Sequence, residues 1–199
     1  MYGVNTDFLA KHPSAKMALA FVILDQHGER SFSFHRDNSA DLLFSTAQLP
    51  NDLFSTGDIL HICSNTLTEA AICESTQASI LLAKDAGARV SFDVNLRHSL
   101  WSGELADIAV VNHFVGQADV LKFSSYKINC LVTDKTSSVI EAYVQGLMHK
   151  GTQLLVVTND GNPIHYYTST FQTVLAAPKA EVLDTTAGGD AFSRGLLYL

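Results

Sequence analysis

Hydrophobic and polar positions follow two different rhythms along the chain. Residues 17 to 24 (MALAFVIL) are continuously apolar, the polar stretch DQHGE interrupts them, and RSFSFHR then alternates, with Phe32 and Phe34 on one face. A strand, a turn and a period-two strand predict a two-stranded hairpin. From residue 58 the pattern changes to short apolar runs, DILHIC, RVSFDVN, DVLKFS and QLLVV, separated by helix-length segments, the first of which ends near Ala86. Strands alternating with helices predict parallel pairing through right-handed crossovers, and hence an α/β fold. Thr66 with Glu69, and Ser138 with Glu141, have capping-box spacing and are expected to open two helices; Gly87 and Gly151 stand where helices should stop.

A chain of 199 residues that is 47% hydrophobic and 17% charged is expected to bury an ordinary globular core. It carries no repeat, low-complexity stretch or Pro/Gly/Ser-rich linker, so one domain over residues 1–199 is expected, with the hairpin as the candidate small lobe. The apolar runs are too short to span a bilayer and no signal segment opens the sequence, so a soluble, cytoplasmic protein without a membrane partner is expected. A net charge of −7 argues against a nucleic-acid surface. It leaves room for a small anion bound through backbone amides. Cys63, Cys73 and Cys130 are odd in number, without C-x-x-C spacing, and read as reduced core residues. The eight histidines form no metal-ligand pattern, and His61, in an apolar strand, is expected as a hydrogen-bonded core residue. No metal ligand is assigned.

In parallel sheets, ligands bind beyond the carboxyl ends of the strands. The polar clusters DVNLR, KFSS, TNDGN and DTTAGGD all fall at such ends. The last is the richest. A chain that bends through Thr-Thr-Ala-Gly-Gly into a helix leaves unpaired amides at the positive end of the helix dipole, an anion site that glycines let a ligand approach. Asp190 beside it could take a proton from an attacking hydroxyl while the amides hold charge developing on a transferred phosphoryl group. The plainer account is that Asp184, Thr185 or Asp190 caps a helix and the glycines make the turn. Arg97, four residues past Asp93, likewise has a plain account as one half of a strand-end ion pair. Phe32 and Phe34 have one as core residues.

The stretch Asp184 to Phe192 resembles the D-T-T-[GA]-A-G-D-[AT]-F signature of the PfkB, or ribokinase-like, carbohydrate kinases. YGVNT, the hairpin AFVILDQHGERSFSFHRDNSADLL, and FDVNLRHSLW precede it in family order, and the likeness is greatest to the fructokinase and aminoimidazole riboside kinase branch. The resemblance implies a three-layer sandwich with a mostly parallel central sheet and a small β lid, residues 15–37. It implies transfer of the γ-phosphoryl group of ATP, with magnesium, to a sugar hydroxyl, most simply that of fructose. By matching positions it makes Asp190 the general base and the amides of Ala187, Gly188 and Gly189 the anion hole. Arg97 and Phe34 then meet the sugar, and Ser124 and Thr158 meet the nucleotide. The partners implied are the sugar and ATP, with a homodimer formed through the lid.

Against the family pattern, the opening strand with its Gly-Gly-Asn segment, and the segments that follow the catalytic helix, have no counterpart in the sequence, so exposed sheet edge and apolar surface are expected. The Asn/Ser-x-x-Glu motif is Ser124-Ser125-Tyr126-Lys127, and only Thr158 keeps its place in the Thr-Leu-Gly loop. Arg194-Gly195 stands where Gly-Gly would pack closely. Two readings therefore stand: a sugar kinase, for fructose, a riboside or another keto-sugar, and a non-catalytic relative that keeps the fold or binds a nucleotide.

Overall fold

The computed structural model describes residues 3–24, 26, 30–179, 181 and 186–198. The hairpin is formed by β1 (Leu19–Leu24) and β2 (Arg30–His35), antiparallel, with Ala20 opposite Phe34 and Val22 opposite Phe32. Most of the expected DQHGE turn lies outside the described residues. Because side chains alternate across a strand, Phe32 and Phe34 share one face with Ala20 and Val22, while Leu19, Phe21 and Ile23 share the other. The latter three are 51–55% exposed.

The main sheet has six strands: β3 (Ile59–Cys63), β4 (Arg89–Asp93), β5 (Val120–Ser124), β6 (Leu154–Asn159), β7 (Asn162–Thr168) and β8 (Gln172–Leu175), in that spatial order. β3 to β6 are parallel, as the alternation of runs predicts. Their crossovers carry α1 (Ala70–Asp85), α2 (Ile108–Val115), and the pair α3 (Ser125–Leu131) and α4 (Ser137–His149). Because the strand order is monotonic, right-handed crossovers put all four helices on one face. α5 (Gly188–Leu197) closes the described chain. β4 is buried at four of five positions, Val90 and Phe92 wholly, because a parallel strand is covered on both faces. Ile80 of α1, Val111 and Val115 of α2, Leu121 and Phe123 of β5, Val144 of α4 and Leu155 and Val156 of β6 are fully buried with them. Truncating a residue such as Phe92 to Ala would cost about 3–5 kcal/mol.

Several local expectations are corrected. β7 and β8, which the apolar runs did not announce, add antiparallel strands to the sheet, and TNDGN is the tight turn between β6 and β7, with Asn159 paired to Asn162 and Asp160 at φ 49°. Asn-Asp-Gly-Asn is a strong hairpin signal, because short turns of this type need left-handed residues. Neither capping box forms. Thr66 lies in a short 3-10 turn before α1 and donates to the Cys63 carbonyl, while Glu69 is the N-cap. At α4 the N-cap is Thr136, and Glu141 instead accepts from Gln145. The spacing misled because it marks a helix start only where backbone dihedrals change at its first residue. Gly87 and Gly151, at φ +75° and +109°, end α1 and α4 as expected, and the amides after them reach back five residues to Ala83 and Leu147. His61 is exposed rather than core, since β3 flanks the sheet, although its ring does bond Ser91 Oγ at 3.1 Å. The three cysteines are free and half-buried.

Candidate active site

The strand ends gather the polar clusters as the topology requires. At the start of α5, Ala187 is the N-cap in the left-handed conformation (φ 58°, ψ 11°), its carbonyl accepts from Ala191 N at 2.8 Å, and Gly188 and Gly189 form the first helical residues. The N-cap is thus Ala187, without a side-chain cap bond, and not Asp190, one of the three residues the plain account named. Asp190 follows in the first turn, exposed. Asp184 and Thr185, the opening residues of the motif, lie outside the described residues. A left-handed non-Gly residue costs about 1–2 kcal/mol. It holds the turn that leaves the amides of the following glycines outside the helical ladder.

Beneath this turn lies an ion pair that the spacing of Asp93 and Arg97 did not suggest. Asp93, at the end of β4, accepts from Lys122 of β5 through both oxygens, at 3.0 and 3.2 Å, and from Ser193 Oγ of α5 at 3.3 Å. The two charged side chains are only 7% and 12% exposed. The plain Asp93–Arg97 bridge is therefore not formed. The sequence signal for Lys122 was a lone cation inside the apolar run VLKFS. A Cβ added to Gly189 would sit 3.0 Å from Lys122 Nζ, so a side chain there meets the ammonium. His61 feels this cluster. Desolvation lowers its pKa, Asp93 and Asp190 oppose that, and Lys122 adds to it. Burial pushes the Cys63 thiol up, and Asp93 and Asp190 act in the same sense.

Arg97 lies instead against the hairpin, its guanidinium carbon 4.4 Å from the Phe32 ring centre and 5.5 Å from that of Phe34. The two rings stack at 5.9 Å. Arg97 and Phe34 are thus brought together, and Phe32 joins them. Planar guanidinium on an aromatic face is a favourable contact, about 0.5–2 kcal/mol depending on exposure. The stem of the hairpin is tied to the body by Arg36, which bonds Asp41 at 2.7 Å and Thr68 Oγ1 at 2.9 Å.

Ser124 and Thr158 are register partners across β5 and β6. Thr158 Oγ1 donates to the Phe123 carbonyl at 3.2 Å, and Ser125 Oγ bonds Asn159 Oδ1 at 2.7 Å. Lys127 donates to the Leu96 carbonyl, linking α3 to the segment that carries Arg97. Burial pulls its pKa down. Its ammonium stands where the resemblance implies a carboxylate, and no group of three His, Cys, Asp or Glu side chains able to hold a metal occurs among the described residues. Ser124, Thr158 and Lys127 offer no carboxylate to a magnesium ion. Arg194 is exposed on α5, and a Cβ on Gly195 would meet nothing within 4 Å among the described residues, so none of them packs closely against glycine there.

An α/β sheet with a separate two-stranded hairpin and a glycine-rich helix start beyond its strand ends is the arrangement that the resemblance to the carbohydrate kinases implies. The chain matches the pfkB family of carbohydrate kinases over residues 1–199, and belongs to it. It is 36% identical over 195 residues to a fructokinase of Vibrio alginolyticus, covering 98% of this chain and 62% of the relative. Among solved structures, the fructokinase of Xylella fastidiosa with bound ATP superposes with a TM-score of 0.89 at 41% identity, over 98% of this chain and 60% of that one. The Vibrio cholerae fructokinase bound to fructose, ADP and calcium gives 0.87 at 34% identity, over 98% and 62%. The chain therefore spans about three-fifths of the length of these relatives. No helix among the described residues is long and apolar enough to cross a membrane.

Proposed function

We propose that the chain belongs to an ATP-dependent kinase for a sugar hydroxyl, with fructose as the acceptor. The observation that carries this reading is the start of α5: Asp190 stands one residue after two glycines whose helix begins at a left-handed turn. An acceptor hydroxyl gives its proton to Asp190, and its oxygen attacks the γ-phosphorus of ATP. The bond to the β,γ-bridging oxygen breaks, and ADP leaves. The amides of residues 187–189 hold the charge on the transferred group. Arg97 and Phe34 bound the sugar side, and residues 15–37 act as a lid. Ser124 and Thr158 face the nucleotide. The known relatives that hold ATP, or fructose with ADP and calcium, support these substrates; magnesium is the divalent ion we expect with the nucleotide. The apolar outer face of the hairpin suits a second copy of the chain, giving a homodimer, and consumption of ATP suits the cytoplasm.

The test is sugar-dependent ADP release with ATP and magnesium over fructose, ribose and ribosides. Fructose should be preferred, and Asp190→Asn should lower kcat by about 10²–10⁴-fold, the usual worth of a positioned base. An equally active Asp190→Asn variant would overturn the assignment. The position of Lys127 favours a second reading, nucleotide binding without transfer, which a folded chain that binds ATP and releases no ADP would establish.

A further inference from the structure

We propose that Lys122 is the positioning residue of the anion-hole turn, an inference that rests on the function proposed above. Three observations converge on it. Among the described residues, its ammonium is the only heavy atom within 4 Å of the place a Gly189 Cβ would occupy, once the backbone of α5 and the chain neighbours are set aside. Its charge is held there by both oxygens of Asp93, with little exposure of either side chain. The same Asp93 accepts from Ser193, one turn further along α5, so a single carboxylate ties Lys122 to the helix that carries Asp190.

The orientation of this pair gives it a function beyond packing. The Asp93 oxygens lie farther than 4 Å from the Gly189 position and the ammonium lies within it, so the positive end of the dipole faces the anion-hole turn. A dipole so little exposed acts in a medium of lower dielectric than water and is little screened by salt. It therefore adds to the potential of the α5 terminus where negative charge gathers on a phosphoryl group. The Asp93–Ser193 bond fixes the height of α5, and so the reach of Asp190. A side chain at position 189 would press on the ammonium of the pair.

The test uses the full chain with a neutral replacement of the pair, Lys122→Met with Asp93→Asn, which avoids an unpaired buried charge. The expected result is a fall in kcat of about 10- to 100-fold with the KM for fructose nearly unchanged, since a misplaced turn is felt mainly in the transition state. Pyrophosphate, used as the anion probe, should bind at least about tenfold more weakly by calorimetry. A merely structural pair would lower the melting temperature and leave both readouts in place. Unchanged kcat and unchanged pyrophosphate affinity in a folded double variant overturn the proposal. If the double variant fails to fold, Lys122→Gln, which keeps a donor for Asp93 and loses the charge, is held to the same two readouts. Wild-type protein that binds pyrophosphate through Lys122 yet releases no ADP would refute the kinase reading and leave the role of Lys122 standing. Wild-type protein that does not bind pyrophosphate would overturn both.

Discussion

The two adjacent glycines at the start of α5 should respond oppositely to the same substitution. Neither has a positive φ, so alanine strains the backbone at neither position. At Gly188 the added methyl group meets nothing within 4 Å among the described residues. Gly188→Ala should therefore stabilise the protein by about 0.4–1 kcal/mol, by reducing the freedom of the unfolded chain. At 2–4 °C per kcal/mol for a domain of this size, that is a rise in Tm of about 1–4 °C. At Gly189 the methyl carbon would lie 3.0 Å from Lys122 Nζ. A free lysine would swing away at little cost, but this one is held by Asp93 through two contacts. Overpacking of this kind costs about 1–3 kcal/mol, which outweighs the entropic gain and leaves a net loss of roughly 1–2 kcal/mol, or about 2–8 °C. Thermal melts followed by circular dichroism, with calorimetry to confirm a two-state transition, separate the cases. In the Lys122→Met, Asp93→Asn background the penalty at Gly189 should vanish. Equal shifts for the two variants, or a Gly189 penalty that survives removal of the ammonium, would refute the steric reading.

Two further outcomes follow from local chemistry. Burial alone would raise the pKa of Asp41, but hydrogen bonds from Ser39 and Arg36 and the Arg36 charge outweigh it and leave it below 3.8. A depressed folded-state value means stability that is present above pH 3.8 and lost as pH falls through the folded value. The acid limb of a denaturation profile should therefore be steeper below pH 3.8 in wild type than the remaining groups dictate, and Asp41→Asn should flatten it there; an identical profile would count against the Arg36–Asp41 tie at the hairpin stem. Asp107 caps α2 by accepting from Ala109 N at 3.0 Å and Val110 N at 3.1 Å. Asp107→Ala should cost about 1 kcal/mol by urea denaturation, with an unchanged m-value, and a loss below about 0.3 kcal/mol would show the cap to be solvent-replaceable.

The parts of the fold legible in the sequence are those whose hydrophobic period is enforced by burial on two faces. RVSFD could only be a covered parallel strand, and it is. β7 was hidden because NPIHYYT carries no continuous apolar run: Tyr167 is buried while the residues beside it are only half-buried. A strand covered on one side with aromatics and a histidine on it resembles neither template. At the site, the α5 turn was legible because glycine and acid spacing is a property of consecutive residues. The Lys122–Asp93–Ser193 cluster was not, because its members are separated by up to 100 positions and meet only when β4, β5 and α5 are in place. Arg97 shows the same limit. Its nearest sequence partner was an acid four residues away, yet the fold gives that acid to Lys122 and gives Arg97 two aromatic rings.

That exchange of partners bears on how a chain of net charge −7 can serve an anionic substrate. Of its 13 Lys and Arg residues, Arg97, Lys122 and Lys127 are near enough to one another at the ends of β4 and β5 that Arg97 and Lys122 both lower the pKa of Lys127, after burial. Only one of the three, Lys122, is paired with a carboxylate among the described residues; Lys127 is satisfied by a backbone carbonyl and Arg97 by aromatic faces. Neutral partners hold a cation in place without cancelling its charge, so the local potential stays positive while the rest of the surface is acidic. On the function proposed above, large polyanions would be repelled by the acidic surface, whereas a nucleotide's phosphates would be small enough to meet the positive region alone. If the proposed function holds, the partners of these three cations, more than the net charge, would decide which anions enter.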